Sequence, residues 1–267
     1  MVKIVLFLVD GLDDLFISRN DLKSLLQEVD GCFYVDSEYC YQGQPLSPRI
    51  WGTVITGVKP SDHKCLYWWS FGKLDLLRKA LSFIKGKRRI LERLGFKPKL
   101  SRVRHTTIFD IVRPSKAVLI PTYNDDPALH RMLEESFYRG IDDYIKTIWK
   151  VHRIREEKMW RALEDEWNLF AVYFDLVDLL SHVCWTKRRV EVIKAYLEIC
   201  RIVNKVKEKL GDERYLFLII SDHGFEKSPD GIGGIHSRWA FWSMNLDIGI
   251  RIYDFTHIYP VVLLYRE

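Results

Sequence analysis

Short apolar runs alternate with longer stretches of helical spacing along this chain. Met1 to Val9 is apolar and β-branched apart from Lys3, and Asp10-Gly11 follows at once. Leu169 to Phe174 precedes Asp175 and Asp178, and Tyr215 to Ile220 precedes Ser221-Asp222-His223-Gly224. A further run, Ala117 to Ile120, precedes Pro121. Unbroken apolar character over so few residues predicts strands buried on both faces. Between them, Ile193, Tyr196, Leu197, Cys200, Val203 and Leu210 follow helical spacing up to a stop at Gly211. Ile141, Tyr144, Ile145, Ile148 and Trp149 open another helix that continues in charged sequence to about Glu166. The alternation predicts an α/β fold, a three-layer sandwich with a mostly parallel central sheet and helices on both faces. In such sheets the functional site lies beyond the carboxyl ends of the strands. Here those ends carry Asp and His.

Composition narrows the picture. The 267 residues are 48% hydrophobic, which excludes global disorder and supplies a sizeable core. No internal repeat or low-complexity tract divides the chain, so residues 1–267 read as a single domain. The longest uncharged apolar run near the N-terminus, Ile4 to Val9, is far below the roughly 20 residues of a membrane span. It also lacks a signal-peptide cleavage region, so no transmembrane segment and a cytoplasmic location are expected. The five cysteines have no Cys-x-x-Cys spacing and read as buried thiols. The net charge is +5, but it is unevenly spread. Lys73 to Arg104 holds 12 Lys/Arg against 2 Asp/Glu, so the rest of the chain is acidic. This stretch reads as a basic insertion or cap at about 66–115. It is first a solvated face, with contact to a polyanionic substrate, nucleic acid or anionic lipid as the sharper alternatives.

The strand ends carry the candidate chemistry. Asp10, Asp178, Asp222, His182, His223 and His236 are three carboxylates and three imidazoles, donors that suit Zn²⁺, with Mn²⁺ or Fe as alternatives. Ser47, followed by Pro48, is predicted to cap a helix that runs to about Ile55 and ends at Gly57. A hydroxyl at a helix N-terminus beside a metal is a candidate alkoxide nucleophile. Three aspartates and that alkoxide would balance two divalent cations. Asp175 reads as structural support for the ligands. His105, His130, His152 and His257 read as structural or surface residues, and His63 as a neighbour of the nucleophile helix.

Together these pieces resemble the alkaline phosphatase superfamily, in its type I phosphodiesterase/nucleotide pyrophosphatase branch. The matching segments occur in the family's order. They are Val9-Asp10-Gly11, Pro45-Leu46-Ser47-Pro48 through Trp51 to Thr56-Gly57-Val58 and Pro60, Ile120-Pro121-Thr122-Tyr123, Asp178-x-x-x-His182 with Trp185, Ser221-Asp222-His223-Gly224, and Gly234-x-His236. The resemblance implies an alkaline-phosphatase-like fold and a site for two divalent metal ions. Asp10, Ser47, Asp222 and His223 would hold one, and Asp178, His182 and His236 the other. It also implies a phosphoseryl intermediate on Ser47 and a small phosphate ester or nucleotide as substrate.

Phosphodiester hydrolysis is the expected activity. A phosphomonoesterase on the same site is the near alternative, with Arg49 as the candidate clamp for the extra charge. A non-catalytic anion- or nucleic-acid-binding protein that keeps the fold is the alternative from another class. A sulfatase is disfavoured, because no Cys-x-Pro-x-Arg segment occurs. Tyr67, Trp68, Trp69 and Phe71 offer faces on which a base or aryl group could stack.

Overall fold

The computed structural model describes residues 2–70, 99–211 and 214–265. The central sheet is built from β1 (Lys3–Val9), β2 (Val29–Tyr34), β3 (Ser115–Val118), β4 (Leu169–Phe174), β5 (Tyr215–Ile220) and β8 (Trp239–Met244). A small hairpin, β6 (Phe225–Lys227) and β7 (Gly234–His236), lies between the last two. The sheet order is β2-β8-β5-β1-β4-β3. Strands β3, β4, β1 and β5 are mutually parallel, and β8 runs antiparallel to both β5 and β2.

The reason β1 sits at the centre is visible in its side chains. Ile4 through Val9 are all fully buried, and alternate residues feed two separate cores. Val5, Phe7 and Val9 pack with Phe170, Val172, Phe174, Phe217 and Ile219 on one face. That face is covered by α2 (Pro127–Phe137), α3 (Ile141–Leu163), α4 (Leu176–Cys184) and α5 (Arg189–Leu210). Ile4, Leu6 and Leu8 pack with Leu169, Tyr173, Leu216 and Ile220 on the other. There α1 (Ser47–Thr56) and α6 (Ile258–Leu264) form the cover. Two cores separated by one sheet make the three-layer sandwich.

Three sequence expectations shift. The fourth predicted strand ends at Val118 rather than Ile120, because Leu119 turns into the left-handed region at φ +56°. On α5, Ile193 and Leu197 are exposed; the buried stripe runs through Val192, Tyr196, Ile199, Val203, Val206 and Leu210. β2 and β8, not predicted, complete the sheet on one side.

The basic stretch falls largely on residues 71–98, outside the described residues, as does Phe71. Its described flanks, Trp69–Ser70 and Lys99–Leu100, pair antiparallel, Trp69 with Leu100 and Ser70 with Lys99. Among the described residues no helix is long and apolar enough to cross a membrane.

Candidate active site

Strand register places the first ligands. Val9 pairs with Phe174, and Leu8 with Ile220. Asp10 therefore emerges level with Asp175 on one side and Asp222 on the other. The reversed β8 brings its amino end, and with it His236 of β7, to the same edge. Gly11, at φ +78°, closes the corner: a Cβ there would lie 2.9 Å from the Asp178 Cα and 2.7 Å from the Phe225 ring. Only glycine lets α4 approach β1 so closely.

All six predicted ligands meet. Asp10 Oδ1 lies 3.2 Å from His223 Nε2, and Asp222 Oδ2 lies 3.5 Å from the same nitrogen. Asp178 Oδ1 is 3.3 Å from His182 Nε2, 3.4 Å from His236 Nε2 and 3.8 Å from His223 Nε2. Asp10, Asp222 and His223 form one set of donor atoms within reach of a single ion; Asp178, His223 and His236 form another.

The imidazoles are oriented for this. His236 Nδ1 donates to the Pro45 carbonyl at 2.9 Å, and His223 Nδ1 to the Gly224 carbonyl at 3.1 Å. A carbonyl only accepts, so both rings turn an Nε2 lone pair inward. His182 sits against the Gly234 backbone, which favours its charged form. Its Nε2 faces that of His236 at 2.9 Å.

Four of the clustered atoms, Asp10 Oδ1, Asp178 Oδ1, Asp222 Oδ2 and His223 Nε2, are buried without a hydrogen-bond partner. Orphaned buried acceptors are costly and rare in folded proteins. A divalent cation satisfies them all, so the donor set fits metal.

Electrostatics repeats the point. Burial, together with Asp10 and Asp178, pushes the Asp222 carboxyl well above its usual range. Burial also works against charge on Asp178, yet His182 and His236 hold that carboxyl well below it. Burial works against charge on His182, but Asp178, the Gly234 backbone and Asp10 together outweigh it and raise it to about 9. Burial, then His223, lowers His236.

Ser47 reaches the same place from α1. It is the first helical residue rather than the cap. Leu46 is extended, and its carbonyl accepts the Arg49 N–H at 2.9 Å, so helical geometry begins at Ser47. Its hydroxyl is therefore not spent on a helix end and lies beside Asp222, where it favours the charged carboxylate. Gly57 ends the helix at φ +71°, as predicted. Asp10 Oδ2 is fixed from this layer too, accepting Tyr173 Oη–H at 2.6 Å and the Trp51 indole N–H at 3.5 Å.

Ser47, Asp10, Asp178, His182 and His236 line a cleft of about 270 Å³, whose other wall includes Trp68, Trp69, His130 and Leu133. Arg49 does not face it. Its guanidinium donates to the carbonyls of Leu66, Glu38 and Cys40 and lies 6.0 Å from the Tyr41 ring and 5.9 Å from the Tyr67 ring. His63 is structural. Its ring sits under Gly52 and accepts the Cys65 N–H, and burial pushes it down to about 4. His130, read as structural or surface, lines the cleft and pairs with Asp125. Asp175 is held at 2.9 Å by the buried Arg155, a residue the sequence does not single out.

The glycines before His236 explain how α4 and β7 meet. A Cβ on Gly233 would lie 1.9 Å from the His182 carbonyl oxygen, and one on Gly234 3.0 Å from the Ser181 carbonyl. Gly233→Ala must push the hairpin off α4 and separate His182 from His236. We expect about 1–3 kcal/mol of destabilisation and a weaker metal affinity, read by thermal unfolding with and without Zn²⁺. An unchanged melting temperature under both conditions would contradict this packing.

Comparison with known proteins agrees with this geometry. No curated protein matches the chain significantly. The type I phosphodiesterase / nucleotide pyrophosphatase family matches it over residues 4–242, from the first core strand into β8. The matched span contains every clustered Asp and His residue and Ser47. The chain belongs to the type I phosphodiesterase/nucleotide pyrophosphatase family, and is a hydrolase acting on phosphoester bonds.

Proposed function

We propose that the chain is a metal-dependent phosphodiesterase that works through a phosphoseryl intermediate on Ser47. The observation that carries this reading is the convergence of four unpartnered buried donor atoms beside one serine hydroxyl at a helix N-terminus. Asp10, Asp222, His223 and Ser47 would hold one divalent ion, and Asp178, His182 and His236 the second. His223 lies within reach of both sets. Zn²⁺ is the first choice for these donors, with Mn²⁺ or Fe as alternatives. When bound, the two ions supply charge stabilisation to the transferring phosphoryl oxygens.

The residues do the rest. Asp222 lies beside the Ser47 hydroxyl and would accept its proton as the nucleophile forms. The N-terminus of α1 adds a positive field where the anionic phosphate would sit. Ser47 Oγ attacks phosphorus, the Oγ–P bond forms, and the bond to the leaving oxygen breaks. Water then cleaves the phosphoseryl ester and restores the hydroxyl. We place the whole chain in one catalytic domain with the basic stretch as an insertion, and its paired flanks, Trp69 with Leu100, support this. A cytoplasmic location is part of the same reading.

The cleft favours diesters. A monoester carries about two negative charges and needs an added cation. Among the described residues that line the cleft none is Lys or Arg, and Arg49 is committed to carbonyls. Trp68 and Trp69 offer ring faces for a base or an aryl group, at about 1–3 kcal/mol per stacked base. We expect kcat/KM for bis-p-nitrophenyl phosphate to exceed that for p-nitrophenyl phosphate on one preparation. A ratio favouring the monoester by more than about tenfold would move the assignment to a phosphatase, since tenfold is about 1.4 kcal/mol of transition-state preference.

A further inference from the structure

His182 belongs to the walls of two cavities. One is the cleft with Ser47; the other is a groove of about 570 Å³ whose lining includes Ile141, Lys187, Arg188, Asp230 and Ile232. The groove follows from how the chain turns after His182. α4 ends at Cys184, and residues 185–188 lead into α5. Two hydrogen bonds tie this turn to the β6–β7 hairpin. The Lys187 N–H donates to the Ile232 carbonyl at 3.3 Å, and Thr186 Oγ1 to the Gly233 carbonyl at 3.2 Å. Turn, hairpin and the start of α3 at Ile141 make the walls.

The charges along this groove are unevenly spent. Arg188 donates to Asp142 at 2.5 Å. Asp230 accepts from Ser228 Oγ and from the Ile232 N–H, contacts that hold its carboxyl below the usual range. Lys187 is exposed and forms no ion pair among the described residues. Through Arg188 the groove adjoins a further cavity of about 450 Å³ that contains Lys146, which forms no ion pair there either among the described residues. The acids of that cavity are engaged, Asp142 by Arg188 and Glu191 by Lys194 at 2.7 Å. What is left over beyond His182 is cationic.

Space asks for such a site. A diester carries two organic arms. The Ser47 cleft, at about 270 Å³, is smaller than the roughly 300–1,000 Å³ of most small-molecule pockets. One arm fills it, against Trp68 and Trp69, and the other must leave past the ligand cluster. We infer that the groove beyond His182 takes this second arm, and that Lys187 selects an arm bearing a further anionic group, such as a second phosphate. Ile141 and Ile232 offer the body of the arm an apolar surface. Lys187 suits this because its ammonium is a point charge on a flexible stem that can follow an anion. The inference rests on the phosphodiesterase reading and adds to it a determinant of specificity that touches none of the reacting atoms.

Two diesters with one leaving group test it. One is p-nitrophenyl butyl phosphate; the other carries an added phosphate at the far end of the butyl arm. The aryl group suits the indole wall, and p-nitrophenol release reports cleavage of the diester alone. The readout is the ratio of kcat/KM for the two esters on one preparation, which cancels any difference in folded or metal-loaded fraction. We expect wild type to favour the anionic arm by about fivefold or more at low salt, chiefly through KM, because the contact is equal in ground and transition states. Lys187→Ala should bring the ratio to about one, Lys187→Arg should keep most of the preference, and Lys187→Glu should reverse it. Added salt should shrink the wild-type ratio, as an exposed charge contact requires. A wild-type ratio near one, or an unchanged preference in Lys187→Ala, would overturn the inference while turnover leaves the phosphodiesterase reading standing. A wild type that cleaves neither ester would overturn that reading and this inference with it.

Discussion

Ser47→Ala is expected to lower kcat on a phosphodiester by at least about 10³-fold while most of the metal stays bound. The hydroxyl is the only part of the ligand set that would also form a bond to phosphorus. Its removal takes away the intermediate but leaves Asp10, Asp178, Asp222 and the three histidines in place. Ser47→Thr should keep part of the activity, because it preserves the hydroxyl at the first position of α1. Rates with bis-p-nitrophenyl phosphate and metal content from elemental analysis read both halves. A wild-type rate in the alanine variant would move the nucleophile elsewhere. The other hydroxyls of α1 are poorly placed to take over. Thr53 Oγ1 donates to the Arg49 carbonyl, and Thr56 Oγ1 to the Gly52 carbonyl, both inside the helix.

Arg155→Met should be the most destabilising single change. The guanidinium is fully buried between Asp175 and Asp125, and its loss leaves two buried carboxylates without their cation. Breaking a buried pair from one side costs about 3–5 kcal/mol. In a chain of this size that corresponds to a fall of roughly 6–20 °C in melting temperature. The chemistry of the deficit makes a second arm available. Adding Asp125→Asn and Asp175→Asn to Arg155→Met removes the orphaned charges and should recover much of the loss. Denaturant midpoints at unchanged slope give the comparison. If Arg155→Met unfolds at the wild-type midpoint, the buried network contributes nothing to stability.

How legible the molecule was depends on where each signal is written. β1, β4 and β5 are readable because both of their faces are buried, which writes an unbroken apolar run followed by Asp or His. Local sequence does not mark β2 in the same way: Asp30 and Gly31 interrupt it, and its pattern is half polar. β8 is aromatic-rich and opens on the exposed Trp239, and its partner is chosen by the fold rather than by its neighbours in sequence. α5 has apolar residues on more than one side, so spacing alone gave a face that includes the exposed Ile193 and Leu197. The clustered Asp and His residues were legible for the same reason as the strands, since they follow strand ends at fixed offsets. Ser47 was read one position off because its neighbour Leu46, not the serine, has the extended backbone of a cap.

The other side of the cleft was not legible. Arg155 sits in the charged segment His152-Arg153-Ile154-Arg155-Glu156-Glu157, which looks like a solvated helix face, yet it is the most deeply buried cation described. Its partners lie 30 and 20 residues away, on a loop and at a strand end. His130 gains its meaning only from Asp125, fixed by that pair, and from two indoles far upstream. A periodicity argument has no access to such contacts. One signal was present: Asp125-Asp126-Pro127 opens a helix, and an acidic pair there with a histidine in the next turn asks what the first carboxylate holds. Arg49 illustrates the reverse. Proximity to Ser47 in sequence suggested a phosphate clamp, but on α1 it points across the helix to three carbonyls.

The most direct test of the account is a metal titration. Protein stripped with a chelator is titrated with Zn²⁺, and separately with Mn²⁺. Bound metal is measured by elemental analysis, and hydrolysis of bis-p-nitrophenyl phosphate is followed in parallel. The account predicts no turnover without metal, full rate at two ions per chain, and a lower stoichiometry with little turnover in Asp178→Ala. Full turnover by metal-free protein, or no bound metal at excess of either ion, would contradict it.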